Sequence, residues 1–169
     1  IECLESIANQ TFRDLEVVLV NDGGPDVTQV IENYRNRLRI VYKRHLSNRG
    51  RTAALNTGLR SAVGKYVTYL DDDDIFYPKH IETLISEMEK GEYAVVYTDS
   101  LEAQQRQTEN AYEIVQRRPV YSQDFDPELL LKTNYIPILN LMHRRDCLDT
   151  VGIFDESLQV LEDWEFWIR

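Results

Sequence analysis

Two hydrophobic periodicities alternate along the first hundred residues. Short apolar runs rich in β-branched residues, typical of buried strands, occupy residues 15–21, 39–44, 65–70 and 93–98. Apolar residues recur every three or four positions, as in amphipathic helices, at residues 1–8, 27–34, 51–62 and 78–90. This order predicts right-handed β-α-β units, and therefore an α/β fold with a mostly parallel sheet flanked by helices on both faces.

The pattern loosens after residue 98. Residues 99–135 are polar and irregular, and we predict a loop or flap there rather than a core element. The apolar stretch 136–144 predicts a further strand, and residues 161–169 predict the start of a helix. Pro78 is placed to be the first residue of its helix, while Gly64 and Gly91 are placed to end theirs. A chain of 169 residues without internal repeats predicts one domain.

Composition narrows the class of protein. With 43% hydrophobic residues, the chain has enough apolar material for a packed core. Its 29 acidic residues outnumber 19 basic ones, and this net charge of −10 argues against a nucleic-acid partner or a basic membrane-binding surface. Cys3 and Cys147 lie far apart, without the spacing of a zinc site or a disulfide scaffold, so we expect a reducing, cytoplasmic compartment.

Both ends of the sequence lie inside predicted helices. The chain starts at Ile1 within one helical pattern and stops at Arg169 within another, so we expect a domain truncated at both ends. Peripheral association with the inner face of a membrane would depend on those missing segments.

Four consecutive aspartates, Asp71 to Asp74, directly follow a predicted buried strand. Ligands of open α/β sheets bind at the carboxyl ends of the strands, which is where these carboxylates stand. Closely spaced like charges repel, and a divalent cation would relieve that repulsion. Oxygen ligands without His or Cys favour Mg²⁺ or Mn²⁺. The alternative, a solvated acidic loop, is weaker at this position in the fold.

Two further acidic features are ambiguous by themselves. Asp22 ends the first predicted strand, and Gly23 and Gly24 would allow a ligand to approach the backbone, but Asp-Gly is also ordinary turn chemistry. Glu162 and Asp163 stand in the first turn of the last predicted helix, where acidic residues commonly interact with the helix dipole.

Two other carboxylate motifs fit less well. A calcium-binding EF-hand loop starting at Asp71 would need an oxygen ligand at Ile75 and a glycine at Phe76. A haloacid-dehalogenase-like phosphatase also has Asp-x-Asp after a hydrophobic strand, but it continues with small or hydroxyl residues. The phosphatase remains a distant alternative.

Three segments together resemble a known family. They are VNDGG at residues 20–24, SNRGRTAALNTGLRSAVGKYVTYLDDDD at 47–74 and LEDWEFWIR at 161–169. Their order and spacing resemble the family 2 inverting glycosyltransferases, which have the Rossmann-like GT-A (nucleotide-diphospho-sugar transferase) fold. The resemblance implies a nucleotide-sugar-binding half at residues 1–98 and an acceptor-side half at 99–169. The family's first strand would precede Ile1, and further acceptor-side elements would follow Arg169.

The resemblance also implies roles for residues on the donor side. Asp22 matches the aspartate that accepts a hydrogen bond from the nucleotide base, typically uracil. Asp71, Asp72 and Asp73 span the DxD motif, in which Asp73 is the main metal ligand and Asp71 or Asp72 reaches the ribose or the metal through water. Arg51, like its neighbour Arg49, would reach the diphosphate, and a plain surface role is an equal alternative for both.

On the acceptor side, Asp163 matches the catalytic base. The implied reaction moves a sugar from a nucleoside diphosphate, with UDP expected, to a hydroxyl group of a saccharide or other acceptor, as in polysaccharide biosynthesis. Its cofactor would be Mn²⁺ or Mg²⁺. A non-catalytic nucleotide-sugar-binding domain and, less well matched, a phosphatase or nucleotidyltransferase are the alternatives.

Five other residues carry weaker expectations. Asn56 and Gly58 fall on family-typical positions of the helix before the DxD strand. His143 is expected to be a structural histidine. Trp164 and Tyr135 could stack on a sugar, but we expect them to serve the core.

Overall fold

The computed structural model of the chain describes residues 1–108 and 112–169. Helices and strands alternate through the first hundred residues, as the hydrophobic pattern predicts. In chain order they are α1 (Glu2–Ala8), β1 (Glu16–Asp22), α2 (Thr28–Glu32), β2 (Arg39–His45), α3 (Arg51–Ser61), β3 (Tyr66–Thr68), α4 (His80–Lys90) and β4 (Val95–Tyr97). The predicted α/β class is therefore confirmed.

Strands β1 and β2 form a parallel pair. The pairing runs from Glu16 opposite Arg39 to Asp22 opposite His45, so Asp22 and His45 end the two strands at the same edge. Helix α3 packs on this pair, and a Cβ at Gly58 would make ordinary van der Waals contact with Val20 Cγ2, at 3.8 Å. The carboxyl ends of β1 and β2 thus meet the beginning of α3.

A three-stranded sheet has the late strand β7 (Leu141–Arg144) at its centre. Both β3 and β4 pair with β7 in antiparallel orientation, so β3 and β4 run parallel to each other. The late strand is shorter than the predicted 136–144, because residues 138–140 form a 3₁₀ turn. One reversed central strand is compatible with the predicted mostly parallel architecture.

Residues 99–135, predicted to be a loop or flap rather than a core element, are more regular than expected over most of their length. It contains an antiparallel hairpin of β5 (Ser100–Gln107) and β6 (Tyr112–Tyr121), followed by α5 (Pro127–Leu130). The described residues of the hairpin are almost all exposed. Because neither face is buried, the sequence lacks the alternation of polar and apolar residues by which strands are recognised.

Two predicted helix boundaries also differ. Helix α4 begins at His80, and Pro78 lies in the preceding turn, where its carbonyl accepts a hydrogen bond from the Thr11 backbone N–H at 2.8 Å. Helix α3 ends at Ser61, so Gly64 lies beyond its end rather than terminating it. Gly91 does stand at the C-cap of α4, as predicted.

The core that positions the end of the chain lies between α3 and α7 (Glu162–Ile168). Its buried residues are Leu59 of α3, Tyr69, Ile138, Phe154 and Phe166 of α7. The short helix α6 (Leu148–Val151) borders this cluster. Within residues 1–108 and 112–169, no helix has the length and apolar character needed to cross a membrane.

Asn56 connects α3 by hydrogen bonds to the segment that precedes α7. Its side chain is fully buried, and its amide oxygen accepts from the Phe154 backbone N–H at 3.0 Å. Its amide nitrogen donates to the Phe154 carbonyl at 2.9 Å and to Glu156 Oε1 at 3.0 Å. Asn56 therefore serves the fold, by satisfying backbone groups of a loop 98 residues away.

Replacing Asn56 with alanine should lower the free energy of unfolding by about 3 kcal/mol, because buried backbone groups of Phe154 lose their partners. Urea unfolding followed by circular dichroism measures this. The matched control, Asn33→Ala at the exposed end of α2, should change stability by no more than about 0.5 kcal/mol. Equal stability of the two variants would contradict the assignment.

Candidate active site

A cleft of about 250 Å³ opens where α3, β3 and α7 meet. Its lining includes three residues that the sequence singled out, Arg51, Asp71 and Asp163. The other lining residues are Tyr121, Asn134, Pro137, Ile138 and Leu139. The fold thus brings the DxD segment and the predicted base to one cavity, although they are 92 positions apart in the sequence.

Arg51 bridges the two acidic sides of the cleft. One end of its guanidinium donates to Asp71 Oδ2 at 2.9 Å, and the other forms an ion pair with Glu162 Oε1. Glu162 is only 4% exposed, so Arg51 is the counter-ion that makes its burial tolerable. Burial acts to lower the pKa of Arg51, but the two carboxylates outweigh it and raise the pKa above its ordinary value. Arg51 therefore remains a cation.

Asp163 is held at the cleft by its Oδ1 atom. That oxygen accepts from Asn134 Nδ2 at 3.2 Å and from the Trp164 backbone N–H at 2.7 Å. Within the described ranges no hydrogen bond to Oδ2 is present. A half-buried carboxylate with one oxygen anchored and the other unengaged is suited to accept a proton.

The aspartate run forms a turn, closed by a hydrogen bond from the Asp74 N–H to the Asp71 carbonyl at 3.2 Å. Only Asp71 lines the cleft, whereas Asp72 and Asp73 are exposed beside it. Burial raises the pKa of Asp74, and the charges of Asp73 and Asp71 raise it further. The turn therefore concentrates more negative charge than Arg51 offsets.

No group of three or more Cys, His, Asp or Glu side chains in the described residues is arranged to hold a metal by itself. The exposed carboxylates of the turn nevertheless suit a hard divalent cation. Mg²⁺ and Mn²⁺ commonly bind through one or two carboxylates while ligand phosphates and water complete the coordination. The residues thus fit a cation shared between protein and ligand.

Asp22 lies at the end of β1, with its carboxylate held on three sides. Oδ1 accepts from His45 Nδ1 at 2.6 Å and from the Arg49 N–H at 2.9 Å, and Oδ2 accepts from the Gly50 N–H at 2.8 Å. Burial acts to raise the pKa of Asp22, but these hydrogen bonds outweigh it and keep the pKa below its usual value. Asp22 is therefore an ionised acceptor at neutral pH.

The backbone at the end of β1 requires a glycine at Gly23. Its φ is +77°, and a Cβ there would lie 2.4 Å from the Asn48 backbone nitrogen. Only glycine lets the 47–48 segment pass so close to the end of β1. This close approach brings the Arg49 and Gly50 N–H groups within reach of Asp22.

Three candidate functional residues were not recognised from the sequence or were given a different role there. Glu162, interpreted as a helix-dipole residue, is the buried partner of Arg51. Asn134, which holds Asp163, stands in an irregular segment and carries no local signal. His45 directly follows the second predicted strand, but only the register of β1 and β2 places it opposite Asp22.

The residues expected to be structural make contacts within the fold that suit this role. His143 is buried between the Tyr69 hydroxyl and the Arg144 carbonyl, at 2.7 and 2.8 Å, and burial lowers its pKa. The indole of Trp164 donates to the Leu130 carbonyl at 2.6 Å. The Tyr135 hydroxyl is bonded to the Asp126 backbone.

The chain matches only part of the length of each of its relatives. It is 32% identical over 169 residues to an uncharacterized glycosyltransferase, YwdF, of Bacillus subtilis, covering 99% of this chain and 61% of that protein. A Rickettsia prowazekii glycosyltransferase, RP339, is 29% identical over 172 residues, covering 99% and 53%. The chain therefore spans between half and two thirds of these relatives.

Solved structures share the fold. S. aureus TarS 1–349 in complex with UDP superposes with a TM-score of 0.73 at 24% identity, over 98% of this chain and 48% of that one. The mannosyltransferase PcManGT of Pyrobaculum calidifontis, in complex with GDP-Man and Mn²⁺, gives a TM-score of 0.67 at 19% identity, over 98% and 46%. Both likenesses support the expected GT-A fold.

The family model for glycosyl transferase family 2 matches residues 1–151. That range includes the Asp22 strand end and the aspartate turn, and the cleft joins the turn to Asp163 just beyond it. With most of its length matched and the fold in agreement, the chain belongs to glycosyl transferase family 2.

Proposed function

We propose that this chain is the donor-binding and catalytic part of a metal-dependent inverting glycosyltransferase. It would move a sugar from a UDP-sugar to a hydroxyl group of a saccharide acceptor. One observation carries the proposal: Asp71 of the aspartate turn and Asp163 line the same cleft, with Arg51 between their two sides. A donor phosphate and an acceptor hydroxyl can then meet within one cavity.

The leaving group of this reaction carries negative charge that must be neutralised. Asp73 and Asp71 are the residues proposed to hold Mn²⁺ or Mg²⁺, and Asp72 would contact the donor beside them. A bound ion would supply charge neutralisation for the leaving diphosphate. Arg51 adds a fixed cation at the same rim and, through Asp71, orients the turn.

Asp163 is proposed to take the proton of the acceptor hydroxyl as that oxygen attacks the sugar. Its Oδ1 is fixed by Asn134 and its Oδ2 is unengaged within the described residues, so the orientation of the proton acceptor is preset. Attack opposite the leaving group inverts the anomeric centre in one displacement. No enzyme carboxylate is glycosylated, unlike in a retaining glycosidase.

Asp22 supports uracil as the donor base. A carboxylate offers about four acceptor positions, and donors among residues 1–108 and 112–169 fill three of them, which leaves one on Oδ2. The imide of uracil presents a single N–H, whereas guanine presents two adjacent N–H donors. TarS, one structural neighbour, is complexed with UDP, although the mannosyltransferase neighbour holds GDP-Man.

We assign donor binding to residues 1–98 and acceptor contacts to 99–169. Tyr121, at the end of the β5–β6 hairpin, lines the cleft together with Asn134, so the second half contributes to the wall of the cleft.

Release of UDP from a panel of UDP-sugars tests the proposed activity. The full-length protein with Mn²⁺ should slowly hydrolyse one of these donors even without acceptor. A pure nucleotide-sugar-binding domain would bind the donor and release no UDP.

Replacing Asp163 with asparagine should lower transfer by about 10²- to 10⁴-fold, because the amide cannot accept the proton. UDP affinity should stay unchanged, as measured by calorimetry. Glu165→Gln, on the same helix and paired with Arg169, is the matched control and should retain transfer. Full transfer by Asp163→Asn would rule out this residue as the base.

Replacing Asp73 with alanine should weaken UDP binding in the presence of Mn²⁺ by about tenfold, because a ligand of the cation is lost. Binding in EDTA should be unaffected. Asp149→Ala, which removes an exposed aspartate of α6, controls for net charge. If both variants bind UDP equally in Mn²⁺, Asp73 is not a metal ligand.

UDP should bind at least about tenfold more tightly than GDP, since Asp22 has one acceptor position left and guanine requires two. Calorimetric titrations of the two nucleotides with Mn²⁺ measure the ratio. Tighter binding of GDP would contradict the proposed donor.

A further inference from the structure

Four groups from three structural elements form a hydrogen-bonded chain behind the end of β1. Asp22 of β1 accepts from His45 of β2, and His45 Nε2 lies 2.9 Å from Thr57 Oγ1 of α3. The Thr57 hydroxyl is also 2.9 Å from the Ala53 carbonyl oxygen. The His45 side chain is only 9% exposed, so these hydrogen bonds are shielded from water.

The direction of the first hydrogen bond follows from the acceptors present. An ionised carboxylate can only accept, so His45 Nδ1 must carry the proton shared with Asp22. At the other end, Thr57 either accepts from Nε2 while donating to Ala53, or donates to Nε2. In both arrangements the Nδ1–H of His45 points at Asp22, so Thr57 orients the ring without changing that donor.

The remaining acceptor position of Asp22 depends on this arrangement. The Arg49 and Gly50 N–H groups hold one side of the carboxylate and belong to a loop. His45 is the side-chain partner, on the neighbouring strand and paired in register with Asp22. Without the His45 donor, the carboxylate could rotate about its χ2 angle and present Oδ2 in other directions.

We propose that His45 is a positioning residue for the nucleotide base. It holds the Asp22 carboxylate so that Oδ2 faces the single N–H donor of a uracil ring, while Thr57 holds His45. This inference rests on the proposed function, because it assumes a uridine nucleotide at Asp22.

Two amide substitutions separate the two ring nitrogens. The Asn side chain places an N–H near the position of Nδ1, and the Gln side chain places one near Nε2. His45→Asn should therefore keep the donor to Asp22, and His45→Gln should keep only the contact with Thr57. Lys43→Gln, an exposed position on the same strand, is the control.

Binding of UDP and of inorganic pyrophosphate, each with Mn²⁺, is measured by calorimetry on the full-length protein. His45→Gln should bind UDP about tenfold more weakly with unchanged pyrophosphate affinity, because only the base contact is disturbed. His45→Asn should recover UDP affinity to within about threefold of the parent. Thermal unfolding of each variant reports whether the fold is intact.

Other results overturn the inference. UDP affinity unchanged in His45→Gln, or no better in His45→Asn than in His45→Gln, shows that the Nδ1 donor does not matter. A parallel loss of UDP and pyrophosphate affinity shows a general structural effect instead. If the parent protein binds neither probe, the proposed function fails and the inference fails with it. If the parent binds UDP, a failure of the variants to behave as expected counts against the role of His45 alone.

Discussion

The cleft depends on one residue contact, the two ion pairs made by the Arg51 guanidinium. Glu162 is buried, and a buried carboxylate without a counter-ion would be strongly unfavourable. Its pairing with Arg51 therefore anchors the start of α7, and the second pair to Asp71 anchors the aspartate turn. Helix α7 is only seven residues long and gains little stability from its own hydrogen bonds. Tertiary contacts must hold it, and in doing so they hold Asp163 at the cavity.

The acidic side chains of this chain are concentrated around that contact, and their arrangement indicates the reason. Seven of its 29 acidic residues lie in the three motifs at residues 22, 71–74 and 162–163. Arg51 pairs with two of them, Asp71 and Glu162, and leaves the other aspartates of the turn without that cation. Burial raises the pKa of Asp74, and the charges of Asp73 and Asp71 raise it further. Fold stability alone does not favour such crowding. A cation shared with a diphosphate would offset it, which links the electrostatics of the turn to the proposed reaction.

The sequence predicted much of this fold because its first half is built from elements with one buried face or a buried interior. Strand β1 and helix α3 carry that burial as periodic apolar residues, and their bounds were nearly correct. The β5–β6 hairpin is exposed to solvent on both faces, so its sequence shows no alternation of polar and apolar residues that would predict the pairing. The start of α4 was misplaced because Pro78 also suits a turn, and its carbonyl is used by Thr11 from a distant part of the chain.

For the site, the sequence by itself determined the chemistry available: carboxylates at strand ends, an Asp at the start of the last helix, and an Arg at the start of α3. Residue types and local periodicity contain that much. Only the tertiary structure decided which of them act together, because the contacts of Asn134 with Asp163 and of Arg51 with Glu162 join positions 29 and 111 residues apart. It also decided that His45 faces Asp22, through the register of two parallel strands. Such pairings follow from packing of the whole core, which no local stretch of sequence encodes.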